Sequence, residues 1–232
     1  RKNSYLINLS HELRTPLNVI YSTEQLIKEL NKNEEGIGRE KLDHYMSIIK
    51  NNTKRLLKII NDLIDSSKIE HGSYNINIEE IDIVYVVEEA ALSMKEYIGA
   101  KDIELIVDPE IEEKIIEADK SEIERCIVNI VGNAYKFTEP GGVIKVVIID
   151  LGDSVRIEIS DTGIGIDKKY HDLIFNRFNQ VIDPSSEVKK GSGLGLTITK
   201  KIIDLHNGDI YVKSIPGQGS KFIIVLPVKQ ER

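Results

Sequence analysis

The chain has 232 residues, of which 41% are hydrophobic and 30% charged, and a formal net charge of −7. That length and apolar content suit one or two domains with real cores, and lysines and arginines scattered among acids disfavour a nucleic-acid or anionic-membrane surface. No apolar run approaches the length that spans a bilayer and no signal-peptide pattern is present; the opening Arg1-Lys2-Asn3-Ser4 runs straight into helical periodicity, as a piece of a longer polypeptide would.

The first helix covers residues 1 to 30. Leu6, Leu9, Leu13, Pro16, Ile20, Thr23, Ile27 and Leu30 fall at alternating steps of three and four, the seam of a helix packed on other helices. In that register His11 stands on the far side from the seam and faces water, with Thr15 one turn along on the same side. Pro16 lacks an N–H and crowds the carbonyl of Glu12, which predicts a kink or loosened turn beside His11. Asn31 to Gly38 is polar and glycine-bearing, a connection. A second helix follows through Leu42, Tyr45, Ile49, Leu56, Ile59 and Leu63, with Ile48, Ile60 and Ile64 widening its stripe, and it stops near His71-Gly72. Two helices of roughly 40 Å cannot cover both stripes alone. The expectation for 1-72 is therefore an all-α helical hairpin that pairs with a second copy into a four-helix bundle.

From residue 73 to 232 the pattern changes to short apolar strands alternating with helices. The expected elements are a strand from Asn75 to Val84, a helix from Val86 to Gly99, and short strands at Ile103 to Val107 and Lys114 to Ala118. A helix capped by Asp119 or Ser121 runs to about Phe137. The lone cysteine, Cys126, reads as core packing within it and suits a reducing cytoplasm. Val143 to Asp150 and Ser154 to Asp161 flank the turn Leu151-Gly152-Asp153 as a hairpin. Leu194 to His206 is a helix closed by Asn207-Gly208, and Ile210 to Ser214 with Lys221 to Pro227 form a last hairpin. Strands outnumber a βαβ series, so the expected fold of this half is an α+β sandwich, a mixed sheet with helices on one face.

Three clusters in this second half could carry chemistry. Asn129 and Asn133 lie one turn apart on one helix face, with Lys136 three further on. Their side-chain carbonyls are hard-oxygen donors of the kind Mg²⁺ takes one or two of, phosphate oxygens and water filling the rest. Asp161-Thr162-Gly163-Ile164-Gly165 ends a strand with a carboxylate and a backbone able to approach a ligand closely. Gly191-Ser192-Gly193-Leu194-Gly195 opens a helix whose free N–H groups favour phosphate. Taken singly each is weak. His44, His71, His171 and His206 lack metal-ligand spacing and read as surface or capping residues.

In order, His11-Glu12-x-x-Thr15-Pro16, then Asn129-x-x-x-Asn133-Ala134-x-Lys136-Phe137-Thr138, then Asp161-x-Gly163-x-Gly165, then Gly191-x-Gly193-Leu194-Gly195-Leu196 resemble the H, N, G1 and G2 boxes of the two-component sensor histidine kinases. The resemblance runs from Ser10 to Pro227 and includes Ile174 to Phe178 as the F box. It implies a dimerisation and phosphotransfer domain over 1-72 and a GHKL (Bergerat) ATP-binding domain over 73-232. By resemblance, His11 is the phosphoacceptor, Glu12 the residue that acts as base and orients the ring, and Thr15 the residue that aligns water for removing phosphate from the partner. Asp161 matches the adenine-amine acceptor, Asn133 the principal Mg²⁺ ligand and Asn129 its helper. Lys136 and Arg177 would bring positive charge to the phosphates of ATP, with Gly163, Gly165, Gly191, Gly193, Leu194 and Gly195 shaping the nucleotide-binding loops. Phe175 and Phe178 match anchors of a lid running from about Asp167 to Ser192, within which Lys190 replaces a glycine common in the family.

The resemblance further implies a homodimer, a response-regulator receiver domain as partner, and a cytoplasmic location under a membrane anchor elsewhere in the polypeptide. A chaperone- or topoisomerase-type ATPase would need a helix-borne glutamate where Asn129 stands. A decayed, non-catalytic module would have lost His11, Asn133 or Asp161. P-loop enzymes and Ser/Thr/Tyr kinases are excluded by the lack of their motifs.

Overall fold

The computed structural model describes residues 2–32, 37–176 and 193–230. They form two compact units, residues 1–72 and 73–232.

The first unit is a helical hairpin of α1 (Lys2–Leu30) and α2 (Arg39–Glu70). α1 continues through Pro16, which is buried on the inner stripe with Thr23, while Leu9, Leu13, Ile20, Ile27 and Leu30 are half-buried along the same line. On α2 the matching stripe includes Leu42, Tyr45, Ile49, Leu56, Ile59 and Leu63. α2 ends where the His71 and Gly72 N–H groups turn back to the carbonyls of Ser67 (3.1 Å) and Ile69 (3.2 Å), and Gly72 takes a φ of 65°, which favours glycine. Leu57, Ile60 and Ile64, at steps of three and four, remain exposed, as do Leu17, Tyr21 and Leu26 on α1.

The second unit layers helices on a five-stranded sheet. Its elements are β1 (Glu79–Asp82), α3 (Ile83–Leu92), α4 (Lys95–Gly99), β2 (Glu104–Val107), β3 (Ile115–Ala118), α5 (Lys120–Phe137), β4 (Val143–Asp150), β5 (Ser154–Asp161), α6 (Gly195–Leu205), β6 (Asp209–Ser214) and β7 (Ser220–Pro227). Single 3₁₀ turns occupy Lys168–Tyr170 and Leu173–Phe175. The sheet order is β2-β4-β5-β7-β6, with β2 parallel to β4 and every other pair antiparallel. β1 and β3 form a separate antiparallel pair. The pleat sends every second residue inward: Ile144, Val146 and Ile148 of β4 and Val155, Ile157 and Ile159 of β5 are buried in one core with Val86, Val87, Ile127, Ile130, Ile198 and Ile202 of the helices.

Two expectations need correction. The strand expected over Asn75 to Val84 is only β1, because the Asp82 carboxylate accepts from the Val84 and Lys114 N–H groups, both at 3.1 Å, and so caps α3 at Ile83. The helix expected over Val86 to Gly99 is two. Met94 N–H turns back three residues to Ala91 (3.1 Å) and the Ser93 hydroxyl donates to the Ala90 carbonyl (2.7 Å), ending α3 before α4 begins.

Candidate active site

α5 is the beam on which the second unit's candidate residues are mounted, and it is tied at both ends. At its start Asp119 accepts from the Glu122 N–H (3.1 Å) and the Ser121 hydroxyl (2.8 Å) through Oδ1, and from the Asn77 N–H (2.7 Å) through Oδ2. Burial of Asp119 opposes its charge, but these donors outweigh it and hold the carboxyl below its ordinary range. The Asp119 N–H itself donates to Nε2 of His206 (2.9 Å), so the ring carries its proton on Nδ1, which donates to the Ile202 carbonyl (2.7 Å). His206 is 0% exposed. It caps α6 as expected of a capping histidine, but from inside the core, where it also pins the end of α6 to the start of α5. At the other end of α5, Lys101 Nζ donates to the carbonyls of Thr138 (2.6 Å) and Tyr135 (3.3 Å), and the Thr138 hydroxyl donates to that of Ala134 (2.7 Å). The last-turn carbonyls thus find a cation, as the helix dipole favours.

Asn129 and Asn133 are both half-buried on this beam. Asn129 donates through Nδ2 to the Thr199 hydroxyl of α6 (2.9 Å), and its Oδ1 lies where a side chain on Gly195 would have to go. Only glycine lets the first turn of α6 settle on that carboxamide. Among the described residues no side chain hydrogen-bonds Asn133. Gly193 takes a φ of 63°, and Leu194, the N-cap, is fully buried beneath the turn and makes no side-chain cap bond to α6. The first N–H groups of a helix have no partner within it and favour an anion.

Asp161, at the end of β5, is 9% exposed and accepts from the Gly163 N–H through Oδ1 (2.8 Å). Burial raises its carboxyl above the ordinary range, against the lowering pull of the Gly163 and Ser220 N–H groups. Backbone groups bind the following turn to its neighbours: the Ile164 N–H reaches the Phe137 carbonyl of α5 (3.3 Å), and the Gly217 N–H of the β6–β7 turn reaches the Ile164 carbonyl (2.7 Å). A side chain on Gly163 would collide with the Phe137 carbonyl, one on Gly165 (φ 71°) with that of Ile215, and one on Gly219 (φ 82°) with that of Asp161. Three chain segments therefore meet at the buried carboxylate. Ser214 completes the knot, accepting from the Ile166 N–H and donating to the Gly219 carbonyl, both at 2.7 Å.

Lys136 is half-buried, with Nζ 4.8 Å from the centre of the Phe137 ring. Phe175 packs on the core, its ring edge-on to Phe222 at 6.3 Å. Arg177, Phe178, Lys190 and Gly191 lie outside the described residues, as does most of the expected lid. In the other unit His11 is exposed on α1, Glu12 beside it is half-buried, and Thr15, also exposed, donates its hydroxyl to the His11 carbonyl (3.0 Å). Among the described residues no group of three or more His, Cys, Asp or Glu is gathered for a metal, and no helix is long and apolar enough to cross a membrane. A metal donor set here would consist of amide oxygens. That suits Mg²⁺ holding phosphates, which needs only one or two protein oxygens.

Residues 1–72 match the His Kinase A (phospho-acceptor) domain, and residues 118–230 match the domain described as histidine kinase-, DNA gyrase B- and HSP90-like ATPase. The chain belongs to the two-component histidine kinases. This kinase core is 35% identical over 98% of its length to the non-motile and phage-resistance protein of Caulobacter vibrioides, and 33% identical over 97% to the autoinducer 2 sensor kinase/phosphatase LuxQ of Vibrio parahaemolyticus. It spans only 27% and 26% of those two proteins. Among solved structures it resembles full-length ShkA in complex with AMPPNP, with a TM-score of 0.72 and 26% identity over 97% of this chain and 46% of that one. It also resembles the histidine kinase ThkA in complex with the response regulator TrrA, with a TM-score of 0.70 and 25% identity over 96% of this chain and 60% of that one.

Sequence reasoning passed over Thr199 and Lys101, which orient or cap the motif residues without belonging to a motif, and read His206 as a surface or capping residue without its bond to Asp119. Thr199 did carry a signal: it stands four residues after Gly195, hence on the same face of α6.

Proposed function

We propose that this kinase core uses ATP to phosphorylate His11 and passes the phosphoryl group to an aspartate on a response-regulator receiver domain, and that it acts as a homodimer through its first unit. The observation that carries the reading is the convergence of Asn129 on the glycine-opened start of α6, on the same beam that meets the buried Asp161 turn, while the other unit presents an exposed histidine. Support for ATP comes from the matched ATPase domain and from ShkA, solved with AMPPNP; support for the receiver comes from ThkA, solved with its response regulator.

In this reading Asp161 accepts a hydrogen bond from the adenine amine, and the first N–H groups of α6, from Gly195 on, take phosphate oxygens. Asn133 and the Oδ1 of Asn129 would hold Mg²⁺, which supplies charge neutralisation at the phosphates when bound. Lys136 and Arg177 add positive charge to the same oxygens. The unprotonated imidazole nitrogen of His11 bonds to the γ-phosphorus as its bond to the β-γ bridging oxygen breaks, and ADP leaves. Glu12 takes the proton from the other ring nitrogen, leaving a phosphohistidine whose ring is neutral and whose phosphoryl group is anionic. Thr15 has its hydroxyl proton committed to the His11 carbonyl, so its oxygen is left as an acceptor. That orients a water toward the receiver's aspartyl phosphate in a phosphatase reaction, which frees the aspartate and releases inorganic phosphate. Residues 1–72 would then be the dimerisation and phosphotransfer domain and 73–232 the catalytic domain.

Incubation with γ-labelled ATP tests the reading. It should place acid-labile, base-stable label on the chain, lost in His11→Gln and retained in Thr15→Ala, which should instead slow dephosphorylation of a receiver. Acid-stable label would mean a hydroxyl acceptor and would overturn the assignment of His11.

A further inference from the structure

Asn129 can serve a cation only if its carboxamide presents oxygen rather than nitrogen, and the two ends of an amide are nearly the same size. Something must set the orientation. In this fold it is a hydrogen bond between α5 and α6. Thr199 is 2% exposed and faces Asn129 across the packing of α6 on α5. A threonine hydroxyl has one proton. Its oxygen also carries two lone pairs, and it accepts the Asn129 Nδ2–H at 2.9 Å. The Asn129 Oδ1 is thereby turned away from Thr199, against Gly195 at the start of α6.

We infer that Thr199 is a positioning residue for the Mg²⁺–ATP site, holding the Asn129 carboxamide with its oxygen toward the metal and phosphates. The inference rests on the proposed role of Asn129 and deepens it. Without the Thr199 acceptor the amide is free to rotate and to offer N–H donors where a cation would sit, which repels it. Valine in place of Thr199 keeps the volume and the branched shape but deletes the acceptor.

The test is calorimetric binding of ATP to the 232-residue chain with Mg²⁺ and with EDTA, for the wild type and for Thr199→Val, Thr199→Ser and Asn129→Ala. Thr199→Val should weaken binding in Mg²⁺ by about five- to tenfold, the scale of one hydrogen bond, and leave binding in EDTA unchanged. Thr199→Ser, which restores the hydroxyl, should restore the Mg²⁺ dependence. Equal weakening in Mg²⁺ and EDTA would make Thr199 a packing residue and overturn the inference, as would wild-type binding by Thr199→Val. An Asn129→Ala chain with undiminished Mg²⁺ dependence would instead overturn the reading of Asn129 beneath it.

Discussion

Asp119 gives the sharpest test of how α5 is held. Replacing it with alanine removes an N-cap, worth about 1 kcal/mol. It also strands the Asn77 N–H, which now donates to a carboxylate oxygen at 2.7 Å; a hydrogen bond to a charged group is worth about 1.5–3 kcal/mol, part of which water recovers. The expected loss is about 2–3 kcal/mol for Asp119→Ala at neutral pH. Asparagine should lie between, since its one oxygen can serve Glu122 or Asn77 but not both, and its NH₂ would face the other donor. Amide exchange by mass spectrometry on peptides spanning residues 120–137 reads α5 directly, and the loss corresponds to about 30- to 150-fold faster exchange of its slowest amides. The pH dependence follows from the lowered carboxyl of Asp119. The ionised form is favoured on folding, so its stabilisation is complete above the ordinary aspartate range and disappears as pH falls through the depressed folded value. The gap between wild type and Asp119→Ala should therefore narrow only on strong acidification. A gap under about half a kcal/mol, small against the hydrogen-bond scale used here, would refute the view of Asp119 as an anchor, and so would one that ignores pH.

Asp161 titrates in the opposite sense. Burial raises its carboxyl, so charge on it is disfavoured in the fold, and stability falls as pH climbs through the raised value; Asp161→Asn should be the more stable chain at neutral pH and lose that advantage in acid, as urea unfolding at a series of pH values would show. The same carboxylate is proposed to accept from adenine, so ATP affinity measured by calorimetry should begin to drop above the usual aspartate range as pH is lowered; affinity that stays flat down to that range would argue against the role. The exposed stripe Leu57, Ile60 and Ile64 is where a second copy is expected to seat. Each such side chain contributes about 1.5–3 kcal/mol when fully buried. Ile60→Glu together with Ile64→Glu should convert a dimer to a monomer in sedimentation, and an unchanged sedimentation profile would place the interface elsewhere.

The helical hairpin and the β4–β5 hairpin were legible in the sequence because their apolar patterns are long and uninterrupted. Three-four spacing runs through both helices, Val143–Asp150 is a β-branched apolar run, and strict alternation runs through Ser154–Asp161, with a glycine turn between the two. β1 was not, because Ile81-Asp82-Ile83-Val84 has the composition of a strand. What ends it is the Asp82 carboxylate reaching forward to Val84 and across to Lys114, and the second partner is 32 residues away. The break between α3 and α4 has no glycine or proline to announce it. Nor does anything local say that β2 runs parallel to β4, since that pairing has no shared turn.

The site divides along the same line. Asn129, Asn133, Asp161 and the glycines could be found because contact with a nucleotide forces particular residue types at fixed spacing, and those types stand out. The groups that aim them do not stand out, because each needs only one hydrogen bond of the right sense from a partner remote in the chain. Thr199 lies 70 residues from Asn129, and His206 lies 87 from Asp119. In the sequence both sit in or at the end of an ordinary helix, a threonine of indifferent helix propensity and a histidine at a C-terminal cap. Only when α5 and α6 are laid side by side does a hydroxyl become the acceptor that turns an amide, and an imidazole the pin that joins the two helices. The motifs therefore specify what the site is made of, whereas the orientation of its amide is set by residues free to vary in kind so long as an acceptor remains; serine at position 199 should function, and valine should not.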